Sequence, residues 1–155
     1  GVTIEEAVES NQEIDDTAKE IVKNETDGAE KARLLYGWVS ENIEYDEAKA
    51  EIVLENPTLV DSGSIVTFEE RTGVCFDFAS LYISMCRAAG VKVRMISGLG
   101  FNGIEWGEHV WNQVYDPAED RWINVDATFG SSGYDYFDNP GFSDNHRYDT
   151  IQAEW

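Results

Sequence analysis

Basic residues are scarce in this sequence, and the resulting charge imbalance narrows the range of functions. Lysine and arginine together number 11 against 31 aspartate and glutamate residues, which gives a formal net charge of -20. A field of that sign repels phosphate backbones and anionic lipid surfaces but tolerates cationic substrates. We therefore predict no nucleic-acid partner, and the simplest role of the acidity itself is to keep the protein in solution.

Long hydrophobic runs are also missing. No apolar stretch approaches the roughly 18 residues that a transmembrane helix needs, so the sequence predicts no transmembrane segment. No signal peptide is visible either, and the chain begins at Gly1 rather than at a methionine. We therefore expect a trimmed chain or the mature form of an exported domain. Its 155 residues are most simply one domain, 1–155.

Only two cysteines and two histidines are present, which limits disulfide and metal chemistry. Cys75 and Cys86 lie on one predicted helix, about 16 Å apart along its axis, beyond the roughly 7 Å Cα separation that a disulfide allows. The cysteines and histidines are scattered along the chain without the spacing of a zinc site. We therefore predict two free thiols, no metal and no cofactor.

Hydrophobic periodicity predicts helices in the N-terminal part of the domain, residues 1–45. The first helix is expected over about residues 3–23, beginning at the capping box Thr3-x-x-Glu6. The second is expected to begin at Asp27, where Asp27-x-x-Glu30 repeats the capping pattern. A further short helix is expected around residues 47–54.

The pattern changes over residues 67–127, which we predict to be the catalytic core. Thr67-x-x-Glu70 predicts the start of a helical turn that Gly73 ends. Residues 75–89 are apolar nearly all round, which is typical of a buried helix, and Gly90 follows as its C-terminal cap.

Three strands are expected after this helix. Alternation of apolar and polar residues predicts strands over about 91–95, 108–115 and 121–127, with Gly98 and Gly100 loosening the end of the first. We expect an irregular tail over 128–155. The predicted fold class is α+β, with N-terminal helices and a buried helix packed on an antiparallel sheet.

Cys75 stands where a nucleophile would be effective. A glycine turn delivers it to the first turn of the buried helix, where partial positive charge and free N–H donors favour a thiolate. A nucleophilic cysteine also needs a base and a group that orients the base. The backbone N–H of Cys75 is a natural donor to an oxyanion.

His109 and Asp126 are candidates for that base and its partner. A hairpin turn centred between Pro117 and Ala118 would oppose the two residues directly, with Cβ atoms roughly 5 Å apart. The same register would oppose Trp111 to Asn124 and Gln113 to Trp122 on a polar and aromatic face. The other face would carry an apolar layer: Val110, Val114, Ile123, Val125 and Ala127.

Several motifs resemble the transglutaminase-like superfamily over about residues 30–130. The motifs are Gly73-Val74-Cys75-Phe76-Asp77-Phe78-Ala79, Ala89-Gly90-Val91-Lys92-Val93-Arg94, His109-Val110-Trp111-Asn112 and Trp122-Ile123-Asn124-Val125-Asp126-Ala127-Thr128. The stretch from Tyr36 to Asp46 is also similar to an upstream element of that family. The resemblance implies a cysteine-proteinase-like, papain-related fold and a Cys-His-Asp triad, which corresponds to Cys75, His109 and Asp126.

Family membership implies acyl transfer from amides and leaves the acceptor open. We expect hydrolysis of a peptide or amide bond in a protein or peptide substrate, with a cell-wall-associated substrate as one option. A protein-glutamine transglutaminase or deamidase is the alternative, although Phe76 replaces the Trp that follows the nucleophile in animal cross-linking enzymes. A binding module that keeps the fold is the alternative of another class. The bacterial members suggest a secreted or cell-surface location.

Aromatic residues near these motifs are candidates for binding the substrate. Trp38, Tyr45, Trp106 and Trp111 could line the acyl-donor cleft, or they could pack in the core and on the sheet. His146 is the only other histidine and so the only alternative base. We expect it to be a surface or packing residue.

Overall fold

The computed structural model describes residues 2–155 and contains helices on one side of a four-stranded sheet. The helices are α1 (Ile4–Ala7), α2 (Gln12–Ile21), α3 (Gly28–Asn42), α4 (Glu47–Glu55), α5 (Ser64–Glu70), α6 (Cys75–Ala88) and α7 (Ala127–Gly130). The strands are β1 (Glu44–Tyr45), β2 (Thr72–Gly73), β3 (Val93–Phe101), β4 (Trp106–Asp116), β5 (Arg121–Val125) and β6 (His146–Glu154). Short 3-10 turns occupy Pro57–Leu59 and Phe142–Asp144. The predicted α+β class is confirmed.

Helix α6 is the centre of the fold. It contacts α2, α3 and α5 on one side and strands β3 and β4 on the other. Every residue from Asp77 to Cys86 is buried, as an all-round apolar helix requires. The buried Tyr82 satisfies its hydroxyl by donating to the Ala32 carbonyl of α3 at 2.8 Å. Gly90 ends the helix with a φ of +80°, so the predicted buried helix and its glycine cap are confirmed.

The N-terminal segment forms two helices where one was expected over residues 3–23. Thr3 and Glu6 do form the predicted capping box, but α1 ends at Ala7. Asn11 then caps α2 by accepting the Ile14 backbone N–H at 2.9 Å. This cap competes with helix continuation, because a short polar side chain offers the backbone an alternative partner. The prediction of a single helix is therefore wrong.

Helix α5 begins earlier than the capping pattern indicated. It starts at Ser64, after Gly63 with a φ of +117°, and it ends at Glu70. Thr67 lies inside the helix, where its hydroxyl donates back to the Gly63 carbonyl at 2.6 Å. The pattern at Thr67 was thus not a cap. The short helix expected near 47–54 is present as α4, capped by Asp46.

The main sheet has the strand order β5-β4-β3-β6, and every neighbouring pair is antiparallel. Strand β6 corrects the expectation of an irregular tail, because residues 146–154 pair with β3 along most of its length. Its side chains are mostly exposed. The strand therefore has no clear hydrophobic alternation by which the sequence could have revealed it.

Strand β3 continues through Gly98 and Gly100, which were expected to loosen its end. Both glycines are needed for close packing. A Cβ atom on Gly98 would lie 2.0 Å from the Arg147 carbonyl oxygen of β6, and one on Gly100 would lie 2.9 Å from the His109 ring. These glycines let the strand pass close to its neighbours.

None of the helices in residues 2–155 has both the length and the apolarity that crossing a membrane requires.

A buried carboxylate fixes the loop that leads into α6. Asp77 accepts the backbone N–H groups of Gly63 and Val74, each at 2.9 Å, and pairs with the Lys49 ammonium at 2.8 Å. The Asp77 side chain is fully buried and that of Lys49 is 13% exposed. The chain therefore reaches Cys75 through a segment anchored to the loop before α5 and to α4.

We expect Asp77→Ala to lower the free energy of unfolding by about 3–5 kcal/mol, because it leaves a buried ammonium and two N–H groups without their acceptor. Lys49→Met should cost less, since Asp77 keeps both backbone donors. Denaturant unfolding of the two variants and the wild type measures the difference. An Asp77→Ala variant as stable as the wild type would contradict this account.

Candidate active site

The β4–β5 hairpin forms with a register two residues away from the predicted one. Gln113 pairs with Asn124 and Asp116 pairs with Arg121. The turn is longer than expected: the Asp116 carboxylate accepts the Ala118 N–H at 3.0 Å, and Asp120 adopts a φ of +51°. A shift of two residues keeps every side chain on its predicted face. The polar and apolar faces are therefore as expected, although the pairing is not.

Asp126 meets His109 by a route other than direct opposition across the hairpin. The residue lies just beyond the end of β5 and caps α7, where its Oδ1 accepts the Phe129 N–H at 3.0 Å. This cap turns Oδ2 toward the Nε2 atom of His109 at 2.7 Å. The exposed fractions are 1% for Asp126 and 8% for His109. The two groups thus form a buried, hydrogen-bonded pair.

Cys75 lies beside the same histidine. It is the first residue of α6, is half-buried and lines the same cleft as His109, whose pKa it helps to raise. Because Asp126 engages Nε2, Nδ1 is the ring nitrogen left for the thiol. The structure therefore brings together the three residues that the sequence singled out, in the order Cys75, His109, Asp126.

The charged forms of His109 and Asp126 stabilise each other. Burial lowers the pKa of His109, but the charge and hydrogen bond of Asp126, followed by the neighbouring Cys75, outweigh it and raise the pKa from 6.5 to about 10. Burial raises the pKa of Asp126, yet the charge and hydrogen bond of His109, with those of His146, lower it from 3.8 to about 2. The geometry thus favours an imidazolium at His109 beside an ionised Asp126.

A cleft of about 1020 Å³ opens over Cys75 and His109. Its walls come from residues between 40 and 47, between 100 and 109 and between 128 and 136, together with Asn145. Five glutamates are among the lining residues: Glu41, Glu44, Glu47, Glu105 and Glu108. The residues described along its walls include no lysine or arginine. The cleft therefore has a strongly negative lining.

Of the four aromatic residues predicted to line the cleft, Tyr45 does so. The short parallel pairing of β1 with β2 places it there, since Tyr45 pairs with Gly73 directly before the nucleophile loop. Burial, then the neighbouring Cys75, raises the pKa of the Tyr45 hydroxyl. Tyr45 is therefore close to the thiol and 45% exposed, as a substrate contact would be.

The other three predicted aromatic residues are not among the residues that line this cleft. Trp38 stacks on Phe68, with ring centroids 5.7 Å apart. Trp106 packs against Phe101 and beneath the Arg147 guanidinium. Trp111 is buried and stacks on the His109 ring with centroids 5.9 Å apart. Hydrophobicity alone cannot separate a ring that lines a cleft from one that supports it.

His146 belongs to the site, which corrects the expectation of a surface or packing residue. It is 5% exposed, and its Nε2 lies 2.6 Å from Oδ2 of Asp126. Strand β6 delivers it there, so its position depends on the strand that the sequence analysis missed. Asp77 and Lys49 were missed as well, although Asp77 stands inside the nucleophile motif.

The ligand atoms of His109, Asp126 and His146 lie within 4.8 Å of one another, so the fold brings together three groups of the kind that bind metal ions. Both Nε2 atoms, however, lie 2.6–2.7 Å from the same carboxylate oxygen. Those are hydrogen-bond distances, and they identify the nitrogens as N–H donors to Asp126. The geometry therefore suits a hydrogen-bonded relay better than a metal centre.

The sequence matches a known protein-family model and is similar to known proteins. Residues 15–127 match the model of the transglutaminase-like superfamily. The human kyphoscoliosis peptidase is 31% identical over 127 residues, which cover 76% of this chain but 18% of the relative. The human peptide-N(4)-(N-acetyl-beta-glucosaminyl)asparagine amidase is 34% identical over 59 residues, or 38% of this chain and 8% of the relative. The chain thus spans less than a fifth of the length of these relatives.

A solved structure shares the fold. A protein from Cytophaga hutchinsonii that is assigned as a cysteine protease superposes with a TM-score of 0.61 at 25% identity, covering 81% of this chain and 42% of that one. The similarity extends over both the helical part and the sheet, which supports the predicted cysteine-proteinase-like architecture.

Gly100 allows a test of the position of the His109 ring. We expect Gly100→Ala to slow acylation of Cys75 by p-nitrophenyl acetate roughly tenfold or more, because the new methyl group must displace the His109 ring. Gly107 pairs with Gly100 across the sheet, and a Cβ atom there has open space around it. Gly107→Ala is therefore the matched control and should react at the wild-type rate. Equal rates in both variants would contradict the placement.

The raised pKa of His109 predicts a pH dependence of stability. A folded-state pKa above the unfolded value contributes stability that is fully present below about pH 6.5 and is lost as the pH rises through about 10. The difference in free energy of unfolding between the wild type and His109→Ala should therefore shrink from pH 6 to pH 10. Denaturant titrations at several pH values measure it. A constant difference would show that His109 does not carry the charge.

Proposed function

The chain belongs to the transglutaminase-like superfamily, and on that premise we propose that it is a cysteine-dependent hydrolase of amide or peptide bonds, acting through Cys75, His109 and Asp126. One observation carries the proposal. His109 is hydrogen-bonded through Nε2 to the buried Asp126 carboxylate and lines an open cleft together with Cys75, the first residue of α6. That is the arrangement of an activated nucleophile, its base and the group that orients the base.

The first half of the reaction is acylation of the thiol. The Nδ1 atom of His109 accepts the thiol proton, and Asp126 stabilises the imidazolium that results. The thiolate attacks the carbonyl carbon of the substrate amide, and the developing oxyanion lies near the backbone N–H of Cys75 at the start of α6. The tetrahedral intermediate expels the amine, which takes the proton from His109. A thioester on Cys75 remains.

The second half is transfer of the acyl group to water. His109, now neutral, removes a proton from a water molecule that attacks the thioester carbonyl. The intermediate expels the Cys75 thiolate and leaves a free carboxylic acid. The relatives named as a peptidase and an amidase support water as the acceptor. Transfer to an amine, as in a transglutaminase, would differ only in the molecule that attacks the thioester.

The charge of the cleft bears on the substrate. Five glutamates line it, and a wall of one sign raises the local concentration of oppositely charged ligands. We therefore expect a protein or peptide substrate with lysine or arginine near the reacting amide. The same negative field would repel an anionic peptide.

The proposal predicts that lysine- and arginine-rich peptides, including cell-wall peptides, acylate the enzyme. Hydrolysis of this acyl-enzyme in heavy-oxygen water should then label the released acid. Intact-protein mass spectrometry should show a thioester on Cys75, and the released acid should carry one labelled oxygen. Cys75→Ala should abolish turnover. Asp126→Ala should reduce it less, by roughly 10²–10⁴-fold, because it orients rather than attacks.

Cys86→Ala is the matched control, since this second cysteine is fully buried in α6 and away from the cleft. It should retain the wild-type rate. Turnover that survives Cys75→Ala would refute the proposed nucleophile. Incorporation of an added primary amine in place of labelled oxygen would identify a transglutaminase, and thiol-independent peptide binding without turnover would identify a binding module.

A further inference from the structure

The second histidine makes more contacts with the site than packing requires. His146 is the first residue of β6, and its buried ring contacts Asp126 without being among the residues that line the cleft. Its Nε2 is 2.6 Å from Oδ2 of Asp126, the same oxygen that forms the hydrogen bond with His109. Its Nδ1 is 2.9 Å from the Phe142 carbonyl oxygen and 2.7 Å from Oδ1 of Asn145. Both ring nitrogens therefore face oxygen atoms.

These contacts determine the protonation of the ring. A backbone carbonyl and an ionised carboxylate can only accept hydrogen bonds, so each nitrogen of His146 must donate. A neutral imidazole has a single N–H and would leave a lone pair against one of the oxygens. The imidazolium has two and satisfies both. A neutral His146 that instead accepted a hydrogen bond from a protonated Asp126 would leave His109 without an ionised partner.

The surroundings of the ring suit a cation. Phe142 stacks on His146 with centroids 3.7 Å apart and an interplanar angle of 14°. Phe129 and Trp111 lie at 4.9 and 5.0 Å. Aromatic faces attract a cation, which offsets part of the cost of removing it from water. The positive charge is further balanced by the Asp126 carboxylate within the same buried cluster.

We infer that His146 is a positioning residue of the proposed active site, an imidazolium that holds Asp126 in its ionised form with Oδ2 aimed at His109. The inference rests on the proposed function, because Asp126 matters to catalysis only if His109 is the base. It extends the three-residue arrangement to four groups of alternating charge: thiolate, imidazolium, carboxylate and imidazolium.

The physical reason is the burial of Asp126. A carboxylate that is 1% exposed needs donors for both oxygens, and the Phe129 N–H supplies one for Oδ1. Without His146, Oδ2 would depend on His109 alone. The carboxyl group could then take up a proton or rotate, and either change would release the His109 ring. His146 therefore stabilises the orientation of the base without touching the substrate.

A direct test is the nitrogen-15 NMR spectrum of the histidine rings at pH 7.5. The chain has only two histidines, so His109→Ala assigns both sets of signals. We expect both ring nitrogens of His146 to show the chemical shifts of protonated nitrogens. One protonated and one bare nitrogen on His146 would overturn the inference, and this outcome is independent of whether any substrate turns over.

A second test measures the consequence for Cys75. His146→Phe fills the aromatic site but removes both donors, and it should slow acylation by p-nitrophenyl acetate about 10- to 100-fold. His146→Gln, which keeps one donor for Asp126, should recover part of the rate. The His109 nitrogen signals should shift in His146→Phe, which a merely structural role for His146 would not cause.

Ile96→Ala is the matched control, because Ile96 is buried in the same small cluster with Trp111 and Phe142 but makes no hydrogen bond to Asp126. It should lose stability and keep its acylation rate within about twofold. If His146→Phe folds and reacts at the wild-type rate, the positioning role is wrong while the proposed nucleophile stands. If the wild type itself shows no acylation of Cys75, the proposed function fails and the NMR result still decides the state of His146.

Discussion

The buried carboxylate of Asp126 is the point on which the geometry of the site depends. One of its oxygens caps α7, and the other accepts hydrogen bonds from two histidines. Asp126 therefore joins β4, β5 and β6 in one hydrogen-bonded cluster. A buried carboxylate is costly unless its oxygens are satisfied, and here each contact that satisfies it also orients a side chain. The requirement to stabilise one charge thus fixes the histidine that faces the thiol.

A second buried carboxylate positions the nucleophile, and its contacts likewise both stabilise the charge and orient the groups around it. Asp77 gathers two backbone N–H groups and the Lys49 ammonium, and through them it fixes the turn that leads into α6. The two halves of the site are therefore supported from opposite sides of the molecule, one from the helices and one from the sheet. Glycines at 98 and 100 allow β3 to lie close to β6 and to the His109 ring.

Much of this arrangement was predictable from the sequence, because it depends on local patterns. The all-round apolar helix and its glycine cap could be identified from neighbouring residues, and Cys75, His109 and Asp126 stood out through their motifs, although the hairpin register used to pair the last two was not the observed one. What could not be predicted depends on tertiary contacts. The hairpin register moved by two because a turn of Pro117–Asp120 is set by side-chain bonds, and β6 was missed because it is an exposed edge strand. His146 was misjudged for that same reason, and the stacking of Trp111 on the His109 ring likewise depends on tertiary contacts.

The central claim is that His109 holds the Cys75 thiol in its reactive form, and the pH dependence of iodoacetamide alkylation tests it most directly. Peptide mass mapping locates the modified residue, and the buried Cys86 serves as an internal reference. The account predicts fast alkylation of Cys75 in the wild type at pH 6, and in His109→Ala a rate that rises only toward the ordinary thiol range near about pH 8.5. Identical profiles in the two proteins, each that of an ordinary thiol, would contradict the account.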